Sequence, residues 1–201
     1  MDEGYIKYTI KHFNGSEPSY FWTMRISRVR AELFDLGLIG ATSEGIGYGN
    51  ISTRLGCSAS FVISGAATGA KRELGPEDFS EVLSFDTNAN RVSCMGKIRS
   101  SSESMSHGAI YNADKEIKAV IHVHDQGMWE HMLGNPYPST SERAAFGTPE
   151  LADEINSLVV KRAKPNGVFV LRGHQEGVIA YAAELESARD LLLAVYEKQN
   201  G

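Results

Sequence analysis

Two histidines close an apolar segment of the chain, at residues 119–124, and only Val123 separates them. Side chains at positions i and i+2 of a strand project from the same face, so His122 and His124 can reach one metal ion. Imidazole suits zinc and similar first-row metals, and a catalytic zinc typically takes three protein ligands and keeps one position open. Taken alone, this spacing is more often a pair of ordinary hydrogen-bonded histidines.

A third histidine, His174, lies in a polar turn at residues 172–177, just after a predicted strand. If that strand neighbours the strand of His122 and His124, the three side chains form a site of three nitrogens with a fourth position for substrate. The alternative is a lone surface histidine in a turn. His12, His107 and His131 have no partner at a useful spacing, and we interpret them as structural.

Hydroxyl and carboxyl side chains precede a predicted helix, at residues 100–103. Hydroxyls and free backbone N–H groups at a helix N-terminus can bind an anion, because the unpaired donors and the helix dipole both favour negative charge. Glu103 beside them is a candidate general base. A simple capping sequence, serine followed by an acidic residue in the first turn, explains the same residues and is the more common case.

Two glycine-rich turns, residues 45–50 and 64–69, are candidates to present backbone N–H groups to phosphate or carboxylate. Neither contains the Gly-Lys-Ser/Thr of a P-loop or the dinucleotide pattern G-x-G-x-x-G. Taken alone, each is more often a tight turn.

The elements that position these residues alternate irregularly along the chain. Alternation and apolar runs predict strands at 6–11, 49–55, 60–64, 82–85, 91–95, 119–124, 167–171 and 177–181. Helical spacing predicts helices at 22–36, about 102–111, 149–163 and 185–195. Strand clusters between helices are typical of an α/β protein of the α+β type, with a mainly antiparallel or mixed sheet covered by helices.

Length and composition exclude several classes of protein. With 201 residues, 42% hydrophobic residues and a net charge of −5, the chain is predicted to be one domain, 1–201, without the basic excess of a nucleic-acid-binding surface. It has no apolar run long enough to span a membrane, and residues 1–4 do not resemble a secretory signal. Cys57 and Cys94 are too few for a disulfide framework, which favours reduced thiols in a cytoplasmic protein.

Six segments, in this order, resemble the class II aldolase/adducin family, and the likeness runs from about residue 20 to about residue 198. These segments are residues 49–54, 63–69, 101–107, 119–124, 146–151 and 173–178. The resemblance implies a central, mainly antiparallel sheet flanked by helices, and a homotetramer with sites at subunit interfaces. It places His122, His124 and His174 on the family's zinc ligands, with manganese or cobalt as alternatives. It places Glu103 on the acidic residue that moves protons. The implied phosphate-binding residues are Asn50, Ser64, Gly65, Thr68, Gly69, Ser101 and Ser102.

The resemblance also implies a reaction. A metal-dependent lyase of this type cleaves a small sugar phosphate or hydroxy-carbonyl compound through a metal-stabilised enediolate, with Glu103 as acid and base. Glutamate at position 103, where epimerases of the family tend to carry aspartate, favours aldol cleavage or dehydration. The alternatives are a dehydratase or epimerase on the same scaffold, or a non-catalytic binding module like that of adducin. We expect Glu103 at the rim of the cleft.

The chain departs from the family's sugar-phosphate aldolases in three places. The segment between His124 and Phe146 is short and contains a single tyrosine, Tyr137. The sequence ends soon after its last helix, without a tail carrying a further tyrosine. The turn at residues 64–69 lacks the usual proline, which leaves carboxylate open as the bound anion in place of phosphate.

Overall fold

Residues 7–199 are described by a computed structural model, in which strands and helices alternate irregularly. The helices are α1 (Tyr20–Asp35), α2 (Ser104–Ala113), α3 (Gln126–Gly134), α4 (Pro149–Arg162) and α5 (Leu185–Gln199), with a 3-10 turn at Pro76–Asp78. The strands are β1 (Thr9–Asn14), β2 (Gly40–Ala41), β3 (Gly47–Tyr48), β4 (Asn50–Arg54), β5 (Phe61–Ser64), β6 (Phe79–Asp86), β7 (Arg91–Gly96), β8 (Ala119–His124), β9 (Gly167–Val170) and β10 (Gly177–Ala182).

Eight strands form one sheet, in the order β1-β7-β6-β5-β4-β8-β10-β9, and β2 pairs with β3 in a small ribbon beside it. Within the eight-stranded sheet, β1 runs parallel to β7 and the other neighbours are antiparallel. The predicted α/β fold with a mainly antiparallel sheet flanked by helices is therefore confirmed.

The helices cover both faces of the sheet, because alternate residues of each strand enter opposite cores. On one face, apolar side chains of α1, α3 and α5 pack against residues such as Ile121 and Val123 of β8. On the other face, α2 and α4 pack against Val120 of the same strand. His122 and His124 share the face of Val120 and so point toward α2, the helix that follows Glu103.

Helix α3 was not predicted from the sequence. Asp125 is its N-cap, and the Asp125 carboxylate accepts a hydrogen bond from the Met128 backbone N–H at 2.7 Å. Met128 and Met132 lie one turn apart and are buried in the core. The capping aspartate and this spacing were the available sequence signs, but a nine-residue helix gives a short periodic pattern.

The first predicted strand is shifted in the structure. Ile6, which began its alternating pattern, lies outside the described residues, and β1 runs from Thr9 to Asn14. Within residues 7–199, no helix is both long enough and apolar enough to cross a bilayer.

Candidate metal centre

Strand β8 holds His122 and His124 inside the sheet, between β4 and β10. In the antiparallel register, His122 lies opposite Asn50 of β4 and Ile179 of β10, and His124 lies opposite Gly177 of β10. A Cβ atom at Gly177 would lie 2.9 Å from Cδ2 of His174 and 3.3 Å from Nε2 of His122. Glycine at this position therefore leaves room for the rings of His122 and His174.

The turn between β9 and β10 brings His174 to the same place. Its backbone N–H donates to the Leu171 carbonyl at 3.3 Å, and its carbonyl accepts from the Gly177 N–H at 3.0 Å, which closes the turn. The ring centroid of His174 lies 5.3 Å from that of His122 and 4.8 Å from that of His124. One nitrogen from each of the three buried rings can be chosen so that all lie within 4.8 Å of one another.

The state of His122 shows that a metal ion fits this group. The side chain is fully buried, and among residues 7–199 neither of its ring nitrogens has a hydrogen-bond partner. Burying such polar atoms unpaired is costly, and a coordinated metal ion would satisfy one of them. Burial, followed by the neighbouring His124 and His174, keeps the pKa of His122 well below its usual value. The ring therefore stays neutral, which is the form that binds metals.

Glu103 lies next to the histidine group and is buried, so the expectation that it would stand at the rim of the cleft is wrong. Its side chain is 1% exposed, and its Oε1 atom lies 3.6 Å from Nε2 of His174. Its Oε2 atom accepts a hydrogen bond from the Ser106 hydroxyl at 2.7 Å. Burial raises the pKa of Glu103 to about 7, against the smaller lowering effects of Ser106 and the charge of Lys7. A carboxyl group in this state can both take and release a proton near neutral pH.

Two aromatic rings border the histidine group, and the sequence did not identify them as site residues. Phe146 stacks on His174, with 4.9 Å between ring centroids and 16° between ring planes. Lys7 lies over the Phe146 ring, with Nζ 5.2 Å from the centroid. On another side of the group, Tyr48 packs against His124, with 5.8 Å between the ring centroids. These contacts restrict the imidazole orientations, which is what a preformed ligand set requires.

The predicted anion-binding residues gather around a small cavity of about 30 Å³. Of the predicted residues, those that line it are Asn50, Gly65, Thr68, Gly69, Ser101 and Ser102. Gly47, Gly49, Ala66 and Ala67, which belong to the two glycine-rich turns predicted to present backbone N–H groups, also line it. Ser64 is outside this lining: it is buried, and its hydroxyl accepts from the Ile51 N–H at 3.3 Å, which ties β5 to β4.

Ser101 forms a local turn before α2, whose N-cap position is Glu103 and has no side-chain capping hydrogen bond. Its hydroxyl accepts from the Glu103 backbone N–H at 3.2 Å, and its carbonyl accepts from the Tyr8 hydroxyl at 2.6 Å. Ser102, beside it, lines the cavity. The segment before α2 therefore forms one wall of the polar cavity, and the alternative of a serine cap followed by an acidic residue in the first turn is wrong.

His107, interpreted as structural, is fully buried on α2, one turn after Glu103. Its Nδ1 atom lies 2.7 Å from the Ser52 hydroxyl, which in turn lies 2.7 Å from the Tyr111 hydroxyl. Burial lowers the pKa of His107 to about 3.

We expect His107 to make the fold sensitive to acid. The unfolded chain protonates this ring below about pH 6.5, whereas the folded protein keeps it neutral down to about pH 3, so stability is lost as pH falls through that window. Between pH 7 and pH 5, His107 is expected to lower the free energy of unfolding by about 2 kcal/mol. We expect urea unfolding at pH 7 and at pH 5 to show that the free energy of unfolding falls less in His107→Asn than in wild type, by about 2 kcal/mol. His131→Asn, at a half-buried position on α3, is the control, and an equal loss in wild type and His107→Asn would contradict the prediction.

The family sequence model for the class II aldolase and adducin N-terminal domain matches residues 26–198. The chain belongs to the class II aldolase and adducin family. No curated protein has a matching sequence.

Solved structures of this family share the fold at low sequence identity. YgbL from Klebsiella pneumoniae superposes with a TM-score of 0.68 at 18% identity, covering 90% of this chain and 87% of its own. L-fuculose-1-phosphate aldolase from Thermus thermophilus superposes with a TM-score of 0.62 at 21% identity, covering 90% of this chain and 93% of its own. A sugar-phosphate aldolase from Thermotoga maritima superposes with a TM-score of 0.65 at 16% identity, covering 90% of this chain and 92% of its own. These likenesses show the family fold.

Proposed function

We propose that this family member is a metal-dependent lyase that cleaves a small sugar phosphate or hydroxy-carbonyl compound by a retro-aldol reaction. The observation that carries the proposal is the buried group of His122, His124 and His174, with the Glu103 carboxylate 3.6 Å from His174. Three neutral imidazoles beside a carboxyl group of raised pKa are a costly arrangement for a protein interior, and a catalytic role accounts for it.

The three histidines would hold the metal ion. Their nitrogens are the donors that zinc prefers, with manganese or cobalt as alternatives. Bound there, a divalent ion supplies Lewis-acid polarisation of a substrate carbonyl. Phe146 and Tyr48, packed against two of the rings, would keep the nitrogens in place and limit the access of water.

Glu103 would move the proton. When the carbon–carbon bond breaks, one fragment leaves as an aldehyde and the other keeps the electron pair at the carbon beside its carbonyl. Glu103, buried next to His174, would take up the O–H proton of the hydroxyl that becomes the aldehyde and pass it to that carbon, and it would carry the proton back in the synthetic direction. Its pKa of about 7 leaves both of its forms populated at neutral pH, so it can serve in either direction.

The cavity lined by Thr68, Gly69 and Ser102 would bind the anionic end of the substrate, a phosphate or a carboxylate. Binding at this end would position the carbonyl carbon near the histidine group. We also propose a cytoplasmic homotetramer; the free thiols of Cys57 and Cys94 are compatible with a reducing compartment.

The test is an assay of products. Protein reconstituted with zinc is incubated with phosphorylated and unphosphorylated hydroxy-carbonyl compounds, and the products are identified by NMR. We expect two carbonyl fragments, whose formation stops on chelation and resumes when zinc is returned. Loss of water would indicate a dehydratase, and inversion at one carbon would indicate an epimerase. Binding without any reaction would favour a binding module; each of these three results would overturn the proposed retro-aldol cleavage.

A further inference from the structure

Arg30 of α1 is a fully buried arginine that contacts residues 68–71, a turn of which Thr68 and Gly69 line the cavity. Its Nη2 atom donates to the carbonyls of Thr68 at 2.9 Å, Gly69 at 3.0 Å and Lys71 at 2.8 Å, and its Nε atom donates to Lys71 at 3.1 Å. One guanidinium group thus holds three carbonyls of a single turn. The sequence does not predict this contact, because Arg30 lies on a helix far from residues 64–69 along the chain.

The charge of Arg30 has no ion-pair partner among residues 7–199. Among residues 7–199, no carboxylate lies within ion-pair distance of Arg30, and its Nη1 atom has no hydrogen-bond partner. The negative charge of Asp78 favours the charged form of Arg30, but the Asp78 carboxylate forms its ion pair with Nζ of Lys71, at 2.6 Å. Burial lowers the pKa of Arg30 to about 10, so the group stays charged at neutral pH. A buried charge without an ion-pair partner is expensive for stability alone.

The same contacts orient the backbone of the turn. The described residues contain no cis peptide bond, and in a trans peptide unit the N–H points opposite to the carbonyl. Because the Thr68 carbonyl points at Arg30, the Gly69 N–H points away from it, on the side of the cavity that Gly69 lines. Among residues 7–199, the N–H groups of Ala67, Thr68 and Gly69 donate to no protein acceptor.

We propose that Arg30 is the positioning residue of the anion site, which fixes the Gly69 N–H toward the cavity, beside the N–H groups of Ala67 and Thr68, and draws an anion there with its buried positive charge. The inference rests on the proposed anion-binding role of the cavity. The expected ligand is a small dianion such as a phosphate group, because unpaired N–H donors backed by a full positive charge favour concentrated negative charge. The simpler alternative is that Arg30 only ties α1 to the turn.

Arg54 is a matched control. It is also a buried arginine that donates to backbone carbonyls, those of Tyr111 and Asp114, but it stands at the opposite end of β4 from Asn50. Both arginines contribute to the fold, and only Arg30 contacts the turn. Arg30→Lys keeps the charge and loses the planar fork, whereas Arg30→Gln loses both.

The experiment is calorimetric titration of chelator-treated protein with inorganic phosphate. We expect Arg30→Gln to weaken phosphate binding by about 30-fold and Arg30→Lys by about 10-fold, while Arg54→Gln stays within about twofold of wild type. Hydrogen exchange of the unliganded proteins is expected to quicken at residues 66–71 in both Arg30 variants and to be unchanged there in Arg54→Gln. If Arg30→Gln does not fold, Arg30→Lys carries the comparison.

Phosphate binding by Arg30→Gln and Arg30→Lys that equals that of Arg54→Gln would overturn the role of Arg30 and leave the proposed function standing. A wild-type protein that binds no phosphate would overturn both the anion site and the role of Arg30. These two failures are distinguished by the wild-type titration alone.

Discussion

His122→Ala is expected to carry less than about a tenth of a metal ion per chain, where wild-type protein carries about one. The wild-type ring is fully buried, and within the described residues neither of its nitrogens has a hydrogen-bond partner, so a metal ion at the group of three histidines would be the partner that the ring lacks. Removing it leaves two imidazoles, and a site of two nitrogens binds zinc far more weakly than a site of three. Elemental mass spectrometry on protein made without a histidine tag measures the content directly.

The control for this variant is His131→Ala, a half-buried histidine on α3 outside the group. It is expected to keep the wild-type metal content. Both variants need a folded state, which far-UV circular dichroism and gel filtration report. Metal retained by His122→Ala, or no metal and no uptake in wild type, would contradict the metal centre and favour a non-catalytic binding module.

The sequence predicted the strand that carries His122 and His124 and the metal-binding chemistry, but not the strand beside it: β9, the strand before His174, is separated from β8 by β10. The spacing of His122 and His124 already put both rings on one face of β8. Whether β8 and β10 are neighbours depends on pairing between segments about fifty residues apart in sequence. No local pattern encodes that pairing, and the structure brings His174 close because Gly177 lies opposite His124.

Burial was the property that local patterns predicted least well. The serines before α2 correctly predicted a helix start near Glu103, yet the packing of the other side chains around it, Ser106 and His174 among them, decides that this carboxyl group is enclosed. Phe146 and Arg30 were not identified as site residues for a related reason. Each acts on a segment distant in the sequence, one by stacking on His174 and the other by holding the carbonyls of residues 68–71.

Glu103→Gln is expected to reduce turnover by about 100-fold to 10,000-fold, with metal content and assembly unchanged. The substitution keeps the size of the side chain, and its amide oxygen can still accept the hydrogen bond from Ser106. It removes the group that takes and releases a proton at this position. The expected loss lies in kcat rather than in KM, because Glu103 lies beside His174 and is not among the residues that line the anion cavity.

Glu150→Gln, in the first turn of α4, is the control for removal of a carboxylate, and its turnover is expected to equal that of wild type. Turnover, metal content and phosphate affinity are measured on the same preparations, so that a damaged site is recognised by loss of the second or third quantity. A Glu103→Gln protein that keeps more than about a tenth of wild-type kcat would exclude Glu103 as the main proton carrier. The lyase would then need another group at the histidine site, and Lys7, whose charge reaches both Glu103 and His174, would be the next residue to replace.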